Sequence, residues 1–281
     1  MTRERPRGSP TTADSLREYG RGIGGGFLFS LPLFLTMETW QAAVTAGPQR
    51  ILLAVLATFV LLCGYNLYAG LRHDSTIGEV LIDSVEEMGL GLILGVALLY
   101  LFGRLDPGAP LTEHLNLIVL EGMFAAVGVS VGTAQLSRGD DENSGGPQGR
   151  HQTIASEIVL AVCGAVLIAA NVAPTGEVLV LAGGMGALKL VGVMLLSLIV
   201  AALLLFYSEF TGSSRFAGTR GSFGVLHGAG ITYAAALLAS AVLLWFFGRF
   251  AQNGASINAA QCVVLAFPAT LGAAAGRLLL R

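Results

Sequence analysis

Charge is scarce in this chain: Asp, Glu, Lys and Arg together make up 12% of its 281 residues. The net charge of -2 decides nothing by itself, and no nucleic-acid partner is expected. Cysteine is nearly absent. Its three copies, Cys63, Cys163 and Cys262, lie inside apolar stretches with no C-x-x-C spacing, so neither a disulfide framework nor a cysteine metal site is expected. Only four histidines occur, His73, His114, His151 and His227, and there is no H-E-x-x-H, no G-x-S-x-G and no Ser/His/Asp set. The GIGGGF run near residue 22 lacks the preceding strand and following Lys-Ser/Thr of a phosphate loop. No enzymatic activity and no cofactor are expected. Apolar and polar residues never alternate at period two, which argues against a membrane β-barrel.

What the chain does have is apolar length. Apolar side chains make up 54% of it, and mean hydropathy is +0.71. A spanning helix needs roughly 20 mostly apolar residues. Uncharged stretches of that order cover Ile51–Leu71, Ile158–Gly176, Leu190–Ser208, Gly221–Gly248 and Ala251–Gly276. Three more carry acidic residues but are otherwise as apolar: Gly22–Ala46, Ile77–Phe102 and Leu111–Leu136. The expectation is an all-α polytopic membrane protein of eight spans. Residues 1–21 read as a cytoplasmic tail and not as a cleaved signal, because further spans follow the first apolar run. Residues 137–153 read as a polar linker.

The chain also repeats itself. Residues 25–68 lie on 164–207 at an offset of 139, which matches Gly25 with Gly164, Thr36 with Thr175, Glu38 with Glu177 and Tyr68 with Tyr207. At an offset of 145, Gly103-Arg104 meets Gly248-Arg249; at 144, Gly128-x-x-x-Gly132 meets Gly272-x-x-x-Gly276. Residues 22–136 and 154–281 therefore read as two four-helix repeats. An even number of spans returns the chain to its starting side, so the repeats should be parallel, related by an axis along the membrane normal. With the N-terminus inside, twelve Lys/Arg fall on the cytoplasmic side and four outside, which follows the positive-inside bias. Both termini should be cytoplasmic. The paired G-x-x-x-G motifs should let these helices approach closely, at the repeat interface.

The acids are the candidate chemistry. The first and fifth spans each hold a proline, Pro32 and Pro174, followed by Thr-x-Glu: Thr36 and Glu38, Thr175 and Glu177. Proline frees a backbone carbonyl. Glu38 and Glu177 either anchor helix ends at the outer interface or form a paired site, with Thr36 and Thr175 adding hydroxyl ligands. Glu79, Asp83, Glu86 and Glu87 share one helix face; the face either extends into cytoplasm or lines a vestibule for cations or protons. Closely spaced carboxylates cannot all stay ionised cheaply. Glu121 sits alone inside LNLIVLEGMFAAVGVSVG, where the other half has Ala266. An acid at that depth is either a functional group or a satisfied structural carboxyl, and Asn66, Tyr65, Tyr68, Asn171 and His227 are its possible partners. Asn171 reads first as an interhelical hydrogen-bond former.

RGIGGGFLFSLPLFLTMETW at residues 21–40 and NVAPTGEV at 171–178 resemble an uncharacterised family of bacterial integral membrane proteins, a domain of unknown function. In that family the second motif often carries two adjacent acids; here Gly176 precedes Glu177. The resemblance implies a bacterial inner-membrane protein and no particular activity. The function expected from the embedded acids is a transporter or channel for a small cation, with protons as a coupling ion. The alternative is a non-conducting sensor or scaffold subunit. The oligomeric state is open.

Overall fold

The computed structural model describes residues 12–69, 76–141, 154–212, 221–251 and 253–279. Helices and short connections account for all of these residues, with no strand among them. In chain order the helices are α1 (Thr12–Phe34), α2 (Met37–Thr45), α3 (Pro48–Ala69), α4 (Ile77–Leu101) and α5 (Leu111–Asp141), then α6 (Ile154–Val172), α7 (Glu177–Gly184), α8 (Ala187–Gly212), α9 (Gly221–Phe246) and α10 (Ala255–Leu279). Seven are long and apolar enough to cross a bilayer, and the α1–α2 pair makes an eighth if counted as one broken span.

Local chemistry sets the boundaries. Thr76 and Glu79 form a reciprocal capping box that starts α4. Glu79 is thereby spent on a helix end and leaves the acidic face. α4 and α9 stop in the same way. Gly103 (φ 65°) and Gly248 (φ 72°) take the left-handed conformation. The N–H groups of Arg104 and Arg249 then close back on the Leu99 and Leu244 carbonyls at 2.8 Å. This is a Schellman stop, and it needs glycine because a Cβ is disfavoured at that φ.

The first span departs from a single straight helix. α1 ends two residues after Pro32, and α2 leaves at 83° to it. In the second half α6 stops at Val172, Pro174 lies in the turn, and α7 begins at Glu177. Residues 12–21, read above as tail, are the opening turns of α1, and α5 runs on to Asp141, into the expected linker. Residues 142–153 and the tail before Thr12 lie outside the described residues.

Glycine determines the packing, because lipid gives apolar helices no reason to separate from it and close backbone contact must supply the attraction. A Cβ built on Gly25 would fall 2.3 Å from Gly132 Cα and 2.5 Å from the Gly128 carbonyl oxygen. One on Gly164 would fall 2.1 Å from the Gly272 oxygen and 2.9 Å from Gly276 Cα. The two G-x-x-x-G motifs therefore meet α1 and α6 within their own halves. They do not meet each other at a repeat interface as expected. Shape complementarity is the reason: each glycine groove is filled by the glycine of a neighbouring helix. α4 approaches α5 likewise through Gly91 and Gly95 against Gly122.

α5 is the most enclosed helix. α3 and α8 lie at the periphery and turn Leu52, Leu56, Val60, Leu188, Leu195 and Ile199 outward, as lipid-facing helices do. The halves share a core cluster. Leu62 and Tyr65 of α3 cluster with Val127 and Val131 of α5 and with Cys163 and Leu167 of α6. Phe124 stacks on Phe247 at 6.1 Å.

Candidate functional site

Glu121 lies midway along the apolar stretch of α5. Its side chain is completely buried, and neither carboxylate oxygen has a hydrogen-bond partner among the described residues. None of the five partners considered from sequence bonds to it. The Asn66 amide is engaged elsewhere, Asn171 is spent on backbone, and His227 is exposed.

The surroundings follow from how α1 runs against α5. A Cβ on Gly22 would meet Thr133 Oγ1 at 2.9 Å, one on Gly26 would meet Val129 Cγ2 at 3.0 Å, and one on Gly128 meets Phe29 Cβ at 3.2 Å. The helices are thus antiparallel, and each turn toward the end of α1 steps back along α5. Phe34 then packs with Leu117, Leu120 and Ala125. Glu121 is level with Leu33 and Phe34, the last turn of α1, at the break before α2. That end of α1 carries the negative pole of its helix. Pro32 has no N–H, so the Leu28 carbonyl loses its helical donor. The Pro32 carbonyl is closed by the Leu35 N–H (3.2 Å) and the Thr36 hydroxyl (2.7 Å). Just beyond the break, Thr39 is also fully buried, and its hydroxyl has no partner among the described residues. In the second half, Leu265 and Ala266 stand at the corresponding level of α10 and bring no charge.

A second polar group lies nearer the other end of α5. The Asn66 amide of α3 donates to Glu87 Oε2 at 2.8 Å and to Ser84 Oγ at 3.2 Å, both on α4. Ser130 Oγ of α5 donates to Asn66 Oδ1 at 3.3 Å. All four side chains are buried. The Tyr19 hydroxyl of α1 donates to Glu86, which is exposed, and Asp83 is half-buried one turn before Glu87. Of the acidic face read from spacing, Glu87 alone turns fully into the bundle.

Glu38 and Glu177 stand at equivalent places in the two halves. Each opens a short helix in its own half, α2 packed on α5 and α7 on α10. Glu38 is half-buried. Glu177 is exposed; its own backbone N–H, the Thr175 hydroxyl and Arg249 hold its carboxyl below the ordinary value of 4.5. Thr175 Oγ1 also donates to the Val172 carbonyl at 2.8 Å. Asn171 donates to the Leu167 carbonyl on its own helix (2.7 Å) and to the Phe29 carbonyl of α1 (3.4 Å), an interhelical bond between the halves.

Two groupings escaped the sequence reading. Arg277, 4% exposed, donates to the Gly228 carbonyl and Thr232 Oγ1, each at 2.6 Å, and to Glu157 Oε2 at 2.9 Å. It thereby joins α10, α9 and α6. Its signal was present as one basic residue and one acid at the edges of apolar runs, but nothing in the order of residues pairs them. The Arg104 guanidinium lies 3.8 Å over the Trp40 ring and ties the start of the α4–α5 connection to α2. Among the described residues no group of three or more His, Cys, Asp or Glu is placed to hold a metal ion.

No curated protein and no solved structure matches the chain. A family model does: it covers residues 18–280, nearly the whole sequence, and the many apolar helices agree with its description. The chain belongs to the family described as "Putative integral membrane protein (DUF2391)".

Proposed function

We propose that this protein is a transporter or channel for a small cation, coupled to protons, and not an enzyme. The single observation that carries the reading is Glu121: a carboxyl with no partner among the described residues, wholly buried, in the middle of a membrane-spanning helix. A lone charge in such a place has a desolvation cost of several kcal/mol unless a counter-charge arrives. Such groups are kept where an ion or a proton has to pass. The other polar groups of the first half support a path along α5. His114 stands two turns to one side of Glu121, on the side of α2; Ser130, Thr133 and the Asn66–Glu87 network stand on the other.

The architecture fits the same reading. The two halves follow one order of elements, a broken first helix and then three long ones, and share the Schellman stops and the glycine pairs. We take them as two parallel four-helix repeats, of which the first carries the ion chemistry and the second, apolar opposite its own break, is a frame. The protein is placed in the bacterial inner membrane with both termini cytoplasmic. Reporter fusions after residues 47, 107, 180 and 253 should then report the periplasm. A cytoplasmic signal at two of them would break both the eight-span count and the parallel repeat.

The decisive test is flux in proteoliposomes across a panel of cations and pH gradients. Wild type should move at least one small cation or protons. Glu121→Gln keeps the size and removes the charge, and should drop flux to the level of empty vesicles with yield unchanged. If wild type moves no ion tested, the non-conducting sensor or scaffold role takes its place.

A further inference from the structure

We infer that Glu121 and the broken end of α1 together form a binding site for a single dehydrated alkali-metal cation. The inference rests on the transport reading and names what its central site holds. Three features lie where the end of α1, α2 and the middle of α5 pack in one cluster. The first is the Glu121 carboxylate, which has two oxygens with no partner among the described residues. The second is the carbonyl end of α1, whose helix pole is negative and whose last turn, through Phe34, packs in one cluster with Leu117, Leu120 and Ala125 on either side of Glu121 in α5. The third is the Thr39 hydroxyl, buried and without a partner among the described residues, one turn past the break. Pro32 leaves the Leu28 carbonyl without its helical donor, and interrupted membrane helices elsewhere offer such carbonyls to ions.

Ligand chemistry narrows the occupant. The three groups named all offer oxygen, so a hard cation is favoured over a transition metal. One carboxylate balances one positive charge. A divalent ion would leave a net charge buried in a low-dielectric interior, which is costly without further acids. The second half cannot hold the same ion, because Leu265 and Ala266 replace the acid. One ion per chain is therefore expected.

The test is equilibrium binding with the purified full chain, kept separate from flux. Thermal unfolding is followed in lithium, sodium, potassium and choline chloride at equal ionic strength. At least one alkali cation should raise the midpoint over choline, in a saturable way. Glu121→Gln should abolish that response. Thr39→Val should weaken it, while Glu113→Gln, on the same helix but near its exposed start, should leave it intact. An alkali response that persists unchanged in Glu121→Gln overturns the site. A wild type indifferent to every alkali cation, yet still conducting protons, overturns the cation while leaving the transport reading standing. Selective binding without any flux sinks transport and keeps the site.

Discussion

Gly164→Ala is expected to be among the most damaging single substitutions in this protein, although it adds one methyl group. The new carbon would lie 2.1 Å from the Gly272 oxygen and 2.9 Å from Gly276 Cα. Both are backbone atoms, so no side-chain rotation can relieve the overlap, and α6 and α10 must move apart. Separation forfeits the dispersion contacts along the whole crossing, which in a bilayer is most of what holds the helices together. Overpacking typically costs about 1–3 kcal/mol, and a backbone clash belongs at the top of that range or above it. Gly25→Ala, 2.3 Å from Gly132 Cα, should behave the same way in the first half. Gly183→Ala is the control: nothing lies within 4 Å of its added carbon, and stability should stay within about 1 kcal/mol of wild type. Unfolding of the purified protein in detergent measures all three. A Gly164→Ala protein as stable as the control would mean that the close crossing does not exist.

Arg277→Met should cost about 3–5 kcal/mol, the range for removing one partner of a buried ion pair. Arg277 is 5% and Glu157 15% exposed at the side chain, so the glutamate left behind has little water to turn to. The loss also takes the guanidinium donor from the Thr232 hydroxyl oxygen and the Gly228 carbonyl, which keep only the 2.9 Å bond between themselves. The double variant Glu157→Gln/Arg277→Met should recover part of the loss, because the uncompensated charge is gone. A coupling of about 0.5–3 kcal/mol between the two sites is expected from such a cycle. If Arg277→Met unfolds within about 0.5 kcal/mol of wild type, the pair contributes nothing and the three helix ends are held together by packing alone.

Much of the frame was readable in one dimension because its causes are local. An apolar run of sufficient length becomes a membrane helix wherever it lies, and Gly103 and Gly248 end their helices through their own φ. Pro32 marked a break that the structure places two residues later. The glycine pairs were legible as close-approach surfaces, but their partner was read wrongly. A G-x-x-x-G face states how near another helix can come and not which helix comes. The acids divide in the same manner. Glu79 proved to be a cap, a role already written in the Thr-x-x-Glu order of residues 76–79. Glu87 and Glu86 are neighbours in sequence, yet one enters the bundle and the other stays exposed.

By itself, the sequence determined that this is an all-helical membrane protein and that Glu121 is an acid set in the middle of a span. These depend on composition and on backbone chemistry within a few residues. Only the tertiary structure decided that Asn66 serves Glu87 and not Glu121, that the Glu121 carboxylate is buried with no partner among the described residues, and that Arg277 reaches Glu157 across 120 residues of chain. The physical reason is rotational. In a helix apolar on nearly every face, the pattern of residues does not say which way the helix turns about its axis. Contacts with other helices, far away in sequence, choose that angle, and with it the surroundings of every buried charge.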